Sequence, residues 1–178
     1  MKTSPDIRRG AETDIPAVAG VHLDSSRVAY RGICPDSVLD ALTLSGRIEL
    51  WRGRYHDLGP EGRLWIIGRP QVIGFAAADR ADDAEDGGKT CELLSFYVLP
   101  EWWGKKIGYD LMQWLLEDFR QRQYRTIILW TIRSNRRARD FYERTGFVCD
   151  ERARRISRRE SGVLVEYDEI RYSRRLDD

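Results

Sequence analysis

Phe96-Tyr97-Val98-Leu99-Pro100-Glu101-Trp102-Trp103-Gly104-Lys105-Lys106-Ile107-Gly108 is the stretch from which the fold of this chain is read. It starts with β-favouring apolar residues, is stopped by Pro100, and turns at Gly104. Ile107 then opens the clearest helix of the sequence. Ile107, Leu111, Leu115 and Phe119 recur along one side with Trp114 beside them, and Asp110, Gln113, Glu117 and Asp118 fall mostly away from that stripe. A strand, a tight turn and a helix start point several main-chain N–H groups outward, and the helix dipole adds partial positive charge. Such a turn is an anion site suited to phosphate, and Lys105 and Lys106 add two cationic heads. It is not a P-loop, because Gly104-Lys105-Lys106 lacks both the preceding glycine and the Ser or Thr that ligates magnesium. The G-x-G-x-x-G spacing of a dinucleotide site is also missing.

Upstream, Cys91 to Leu99 is the strongest strand. Leu64 to Ile67 and Gln71 to Ala78 read as a hairpin through Gly68-Arg69-Pro70. An acidic loop with Asp82, Asp83, Glu85, Asp86 and Gly87-Gly88 follows. Nearer the start, Asp6 to Arg9 is a short strand. Asp14 is the expected N-cap of a helix with Pro16 in its first turn, reaching about Val28 with Ile15, Val18, Val21 and Leu23 inward. Tyr30 to Pro35 is a loop, a second helix carries Val38, Leu39 and Leu42, and a third segment passes through Ile48 and Trp51. Downstream come a strand from Arg125 to Ile132, a short helix from Arg136 to Thr145 closed by Gly146, and strands from Phe147 to Arg152 and from Val163 to Tyr172. The result is an α/β alternation without repeats or a linker, hence one domain over residues 1–178. Its central strand–helix–strand unit, Cys91 through Thr131, is expected to be parallel.

Composition narrows the function classes. Hydrophobic residues make up 42% and charged residues 33% of 178, with a net charge of +1; that balance argues neither for nor against nucleic acid, and no nucleic-acid partner is expected. The Arg152, Arg154, Arg155, Arg158, Arg159 run reads as a solvated loop or strand end. Cys34, Cys91 and Cys149 are odd in number and lack C-x-x-C spacing. A disulfide scaffold and a zinc site are therefore not expected, and reduced thiols suit a cytoplasmic location. His22 and His56 have no companion at metal-ligand spacing, so no metal is expected. The N-terminus has no apolar run, and no stretch is long and apolar enough to suggest a membrane partner.

A second segment sharpens the reading: Ser134-Asn135-Arg136-Arg137-Ala138-Arg139-Asp140-Phe141-Tyr142-Glu143-Arg144-Thr145-Gly146-Phe147. Asn135 can cap this helix, and Ala138, Phe141, Tyr142 and Thr145 share one face. The two segments, in this order with a strand between them, resemble the GNAT (GCN5-related) N-acetyltransferases. Val98, Pro100, Gly104 and Gly108 match that family's V-x-P-x-x-[RQ]-G-x-G-x-G turn, and the later segment matches its N-x-x-A-x-x-F-Y-x-x-x-G-F pattern. Trp103 stands where the family has Arg or Gln. Lys106 stands where it often has Gly, a replacement compatible with binding if its φ stays negative.

The resemblance implies a GNAT fold, a strongly twisted mixed sheet of about six or seven strands with helices on both faces. It implies acetyl-CoA as cofactor, a small-molecule amine as acceptor, and a homodimer. Phe96, Tyr97 and Val98 would hold the pantetheine arm through their main chain, as an added strand does. Val98 N–H would polarise the thioester. Trp103, Gly104, Lys105, Lys106, Ile107 and Gly108 would form the pyrophosphate turn, with Ala138 and Phe141 nearby. Asn135 is open between a cofactor contact and a plain cap. An alkyl amine is only ~0.1% free base at neutral pH, so a proton acceptor is needed. Glu92 is the candidate base and Tyr142 the candidate acid facing the sulfur. Asp24, Tyr30 and Arg31 fall in the acceptor-binding region, where Asp24, Tyr30 and Trp51 would make an aromatic and acidic pocket for a cationic amine. Two alternatives stay open: acetylation of a protein N-terminus or lysine, and a CoA-binding sensor without turnover.

Overall fold

The computed structural model describes residues 6–68, 70–81 and 89–176. The acidic run from Asp82 to Asp86, Gly87-Gly88, and Arg69 of the expected hairpin turn lie outside the described residues. In chain order the elements are β1 (Ile7–Arg9), α1 (Ile15–Ala29), α2 (Asp36–Asp40), α3 (Leu44–Asp57), β2 (Arg63–Ile67), β3 (Gly74–Arg80), β4 (Thr90–Val98), α4 (Ile107–Gln121), β5 (Thr126–Ile132), α5 (Arg136–Arg144), β6 (Val148–Glu160) and β7 (Val163–Arg175). The strands form one seven-stranded sheet in the order β1-β2-β3-β4-β5-β7-β6. Only β4 and β5 pair in parallel; every other neighbouring pair is antiparallel.

Both faces of the central strands are covered, so β2 and β3 are buried nearly throughout instead of alternating. On one face Phe75 and Tyr97 pack on His22 of α1, and Phe75 meets Trp51 of α3 edge-on. On the other, Trp65 meets Trp114 and Phe119 of α4, and Phe96 stacks on Phe141 of α5. No helix among the described residues is long and apolar enough to cross a membrane.

Three expectations need correction. Asp14 does not cap α1 with its side chain. It pairs with Arg8 at 2.7 Å and accepts from Ala11 N instead, tying β1 to the turn before the helix. The second hairpin strand begins at Gly74, not Gln71. Gly68 adopts a φ of +113°, and a Cβ there would lie 2.3 Å from the Gln71 carbonyl, so the chain is still turning through these residues. The arginine run is neither a loop nor a strand end. β6 continues through it to Glu160 because β7 presents carboxylates opposite, with Arg154 and Arg158 pairing with Glu169 and Arg155 with Asp168.

Two features position the site. β4 and β5 pair only at Thr90, Cys91 and Glu92 with Thr126, Ile127 and Ile128, after which they part while β4 runs on to Val98 and β5 to Ile132. Within β4 the register against β3 shifts at Ala77/Ala78, which leaves Leu94 as an extra, exposed residue where the parting begins.

Candidate active site

The gap between β4 and β5 opens into a cleft of about 950 Å³. Its floor is the exposed edge of β4. Leu99 N donates to Ile73 O at 2.8 Å, which fixes the phase of the antiparallel ladder. Tyr97 then exchanges main-chain bonds with Phe75, and the main-chain groups of Phe96 and Val98 point away from β3 into the gap. The Val98 carbonyl shows this directly, since it accepts from Ser25 Oγ at 3.0 Å and from Trp103 Nε1 at 2.7 Å. Of the three residues expected to present main-chain groups, Tyr97 is thus committed to β3 and offers its side chain.

The turn after β4 is a 3-10 segment, Pro100–Trp102, followed by two residues in the left-handed region, Gly104 (φ +74°) and Lys106 (φ +66°). The negative φ that was the condition for tolerating lysine in place of glycine is not kept at Lys106. Its position is the N-cap of α4, and a lysine there costs roughly 1–2 kcal/mol that a glycine avoids. Trp103 is held by its bond to Val98 O, and the Arg137 guanidinium lies 3.6 Å from the centre of its indole. A guanidinium therefore stands at the turn even though the residue at that point is a tryptophan. Trp103, Gly104, Lys106 and Gly108 line the cleft; Lys105, whose Nζ sits 5.0 Å over the Trp102 ring, and Ile107 do not. Gly108 faces Phe141 and Phe96, which a Cβ would meet at 3.4 Å and 3.7 Å.

The opposite wall is α5. Asn135 Oδ1 accepts from Ala138 N at 3.1 Å, so its amide oxygen serves as the N-cap while its Nδ2 keeps its donors on a residue that lines the cleft. Asn135, Ala138, Phe141 and Tyr142 line the cleft. Tyr142 packs against Phe141, Phe147 and Tyr172, and burial pushes its phenol above the usual tyrosine range, with Tyr97 adding to the shift. At neutral pH it is a proton donor.

The remaining sequence candidates scatter. Glu92 sits in register with Asp79 and Ile128, where the strands are still joined, and is not among the residues lining the cleft, although Leu93 is. Tyr30 lines the cleft, its hydroxyl 2.9 Å from that of Tyr97, and burial raises its phenol well above the ordinary value. Asp24 is exposed and lines a separate groove with Arg8 and Gln71. Arg31 is exposed and paired with Asp36 and Asp40. Trp51 is a core residue donating to His22 Nδ1 at 2.9 Å. The expected pocket of Asp24, Tyr30 and Trp51 does not form, because the inner side of α1 carries His22 and Ser25 and leaves Asp24 outside.

Other lining residues were not anticipated. Ser25, Arg137, Arg158 and Glu169 reach the cleft. Glu169 is 2% exposed and has one carboxylate oxygen on Arg154 and the other on Arg158. The arginine run of β6 is the available signal for Arg158 and Glu169, but a run of like charges reads as a solvated segment until the acids of β7 stand opposite it.

The family model described as "Acetyltransferase (GNAT) family" matches residues 33–147. An uncharacterized N-acetyltransferase from Archaeoglobus fulgidus is 37% identical over 73 residues, a match spanning 40% of this chain and half the length of that relative. Among solved structures, the PaiA N-acetyltransferase of Thermoplasma acidophilum, crystallised in complex with coenzyme A, superimposes with a TM-score of 0.71 at 18% identity, covering 97% of this chain and 99% of that one. The ribosomal-protein-S18-alanine N-acetyltransferase of Escherichia coli gives 0.68 at 17% identity, covering 97% and 94%. The parted parallel strands, the turn at Gly104 and the Asn135–Phe147 segment fall within the matched region or at its end, and with a family match over most of its length this chain belongs to the acetyltransferase (GNAT) family.

Proposed function

We propose that this protein transfers the acetyl group of acetyl-CoA directly to the primary amine of a small molecule. The observation that carries the proposal is the parting of β4 from β5, which aims the main-chain groups of Phe96 and Val98 into a cleft walled by α4 and α5. An extended pantetheine arm with its own amide groups fits such an edge as a missing strand would. The far end fits phosphate: two left-handed residues, the first turn of α4, Lys106 and Arg137 gather there. The small side chain of Ala138 leaves room along α5, and Lys105, over the Trp102 ring, adds positive charge to the same turn.

Acetyl-CoA, when bound, supplies an activated thioester. In this reading Val98 N–H polarises its carbonyl, and Tyr142, whose phenol burial keeps protonated, gives a proton to the departing sulfur. Glu92, which does not line the cleft, takes the amine proton through water in this reading. Tyr30 and Tyr97 stand where the acceptor enters. A chamber of about 60 Å³ adjoins them. The three thiols, all unpaired, suit a reducing compartment such as cytoplasm.

Acetyl-CoA consumption, followed with a thiol reagent against amines, amino acids and short peptides alongside CoA calorimetry, tests this. Turnover on free amines, with kcat lowered about 10²-fold in Tyr142→Phe and CoA affinity kept, is expected. Turnover on peptides alone would replace the small-molecule acceptor with a protein one. CoA binding without turnover on any of them would replace the enzyme with a sensor.

A further inference from the structure

Behind the cleft, on the α1 and α3 side of the sheet, lies the second chamber, of about 60 Å³. It shares Tyr30, Leu94, Ser95, Tyr97, Ile132 and Arg158 with the cleft, so the two adjoin across the Tyr30–Tyr97 hydroxyl pair. Cys34, Val38, Leu39 and Leu42 form an apolar side. Three guanidiniums, Arg47, Arg54 and Arg158, and one carboxylate, Glu160, line the rest.

The charges do not cancel. Glu160 is taken by Arg47 at 2.9 Å. Arg158 shares Glu169 with Arg154. Arg54 has no anion within ion-pair distance among the described residues; its guanidinium rests 5.3 Å from the Trp51 ring centre, and burial, with Arg158 and Arg47, weakens its hold on its proton against the opposing pull of Tyr97 and Glu160. Arg47, 8% exposed, also keeps a buried Nε without a hydrogen-bond partner among the described residues. His22 on the chamber wall is held neutral by burial and by the same three arginines. A cation half-removed from water without an ion-pair partner, in one chamber with an arginine that keeps an unsatisfied buried donor, is a costly arrangement that an anion would relieve.

From the unpaired Arg54, the unsatisfied Arg47 Nε and the chamber they line, we infer that the acceptor amine carries a carboxylate, which docks in this chamber while the amino group remains on the cleft side of the tyrosine pair. The inference rests on the amine-acetylation reading above and narrows it to amino acids and related amino carboxylates. The chamber, of about 60 Å³, is small and suits a carboxylate group. The excess positive charge also repels a second ammonium group. A carboxylate presents two acceptors in the plane a guanidinium matches.

The test uses matched acceptors and two readouts. Turnover is compared between an α-amino acid and the amine left by its decarboxylation. Binding of the corresponding N-acetyl amino acid and of its amide is followed through tryptophan fluorescence, since Trp51 lies under Arg54. Both are repeated with Arg54→Gln and with Arg54→Lys, which keeps the charge. The expected result is at least a tenfold preference for the carboxylate in kcat/KM and in affinity, lost in Arg54→Gln and partly kept in Arg54→Lys. Equal use of both acceptors, equal binding of acid and amide, or a preference unchanged in Arg54→Gln would overturn the carboxylate subsite and leave acetyl transfer standing. Arg54-dependent carboxylate binding without transfer to any amine would overturn the amine reading and leave the subsite.

Discussion

At the scale of single residues, the turn after β4 trades backbone comfort for charge. Gly104 takes its left-handed φ freely, but Lys106 takes the same conformation with a side chain attached. If that charge serves a phosphate, the strain is functional. Lys106→Gly should then stabilise the fold by about 0.5–1 kcal/mol, the left-handed penalty removed less the glycine entropy regained by the unfolded chain. The same variant should bind acetyl-CoA several-fold more weakly. Urea unfolding and calorimetry on the one variant measure both, and a protein neither more stable nor weaker in binding would remove the reason given for the lysine. Trp103 and Arg137 show a related exchange. The sequence places an indole where a polar side chain was expected, and the structure returns a guanidinium to the spot by stacking it on that indole at 3.6 Å. No local pattern announces this, because the two residues meet only once α5 is folded against the turn.

At the scale of elements, the edge of β4 makes the sharpest claim. Register alone says that the amides of Phe96 and Val98 face the gap and that of Tyr97 faces β3. Hydrogen exchange should therefore be fast at Phe96 and Val98, slow at Tyr97, and slowed at the first two when CoA is added. Uniform protection without CoA would contradict the assigned register. The strand itself was legible, since Cys91 to Leu99 is apolar and ends at Pro100; so was α4, whose stripe runs to Phe119. The extra residue at Leu94 was not. A bulge changes which partner each residue faces without changing hydrophobicity, so it leaves no trace in an apolar run. The arginines of β6 were misread for the converse reason. Their partners, Asp168 and Glu169, come from the next strand, and a pairing between strands is invisible to a window moving along one. Among site residues, Tyr142 and the turn were readable as a motif, whereas Arg54, Glu169 and the role of Ser25 depend on the third dimension.

For the whole molecule, burial of groups that resist ionisation bounds the pH range of the fold. His22 is held neutral, its pKa lowered well below the ordinary 6.5 by burial and then by Arg47, Arg54 and Arg158. Unfolding lets it bind a proton, so its contribution is present above about pH 6.5 and is lost as pH falls through the lower folded value. Tyr30 and Tyr142 are shifted the other way, above the ordinary 10.0. Their contribution is present below about pH 10 and is lost as pH rises past it. Melting temperature should be level around neutrality and decline on both sides, with the acid decline flattened in His22→Gln; an unchanged acid limb in that variant would clear His22 of the effect. The short parallel joint has a mechanical meaning as well. Three paired residues on each strand, Thr90 to Glu92 and Thr126 to Ile128, fasten one antiparallel half of the sheet to the other, and the cleft is a crack whose tip lies at Glu92 and Ile128. Anything lodged across the mouth of that crack works as a rivet, so the reaction's own cofactor would also stiffen the seam between the two halves of the protein.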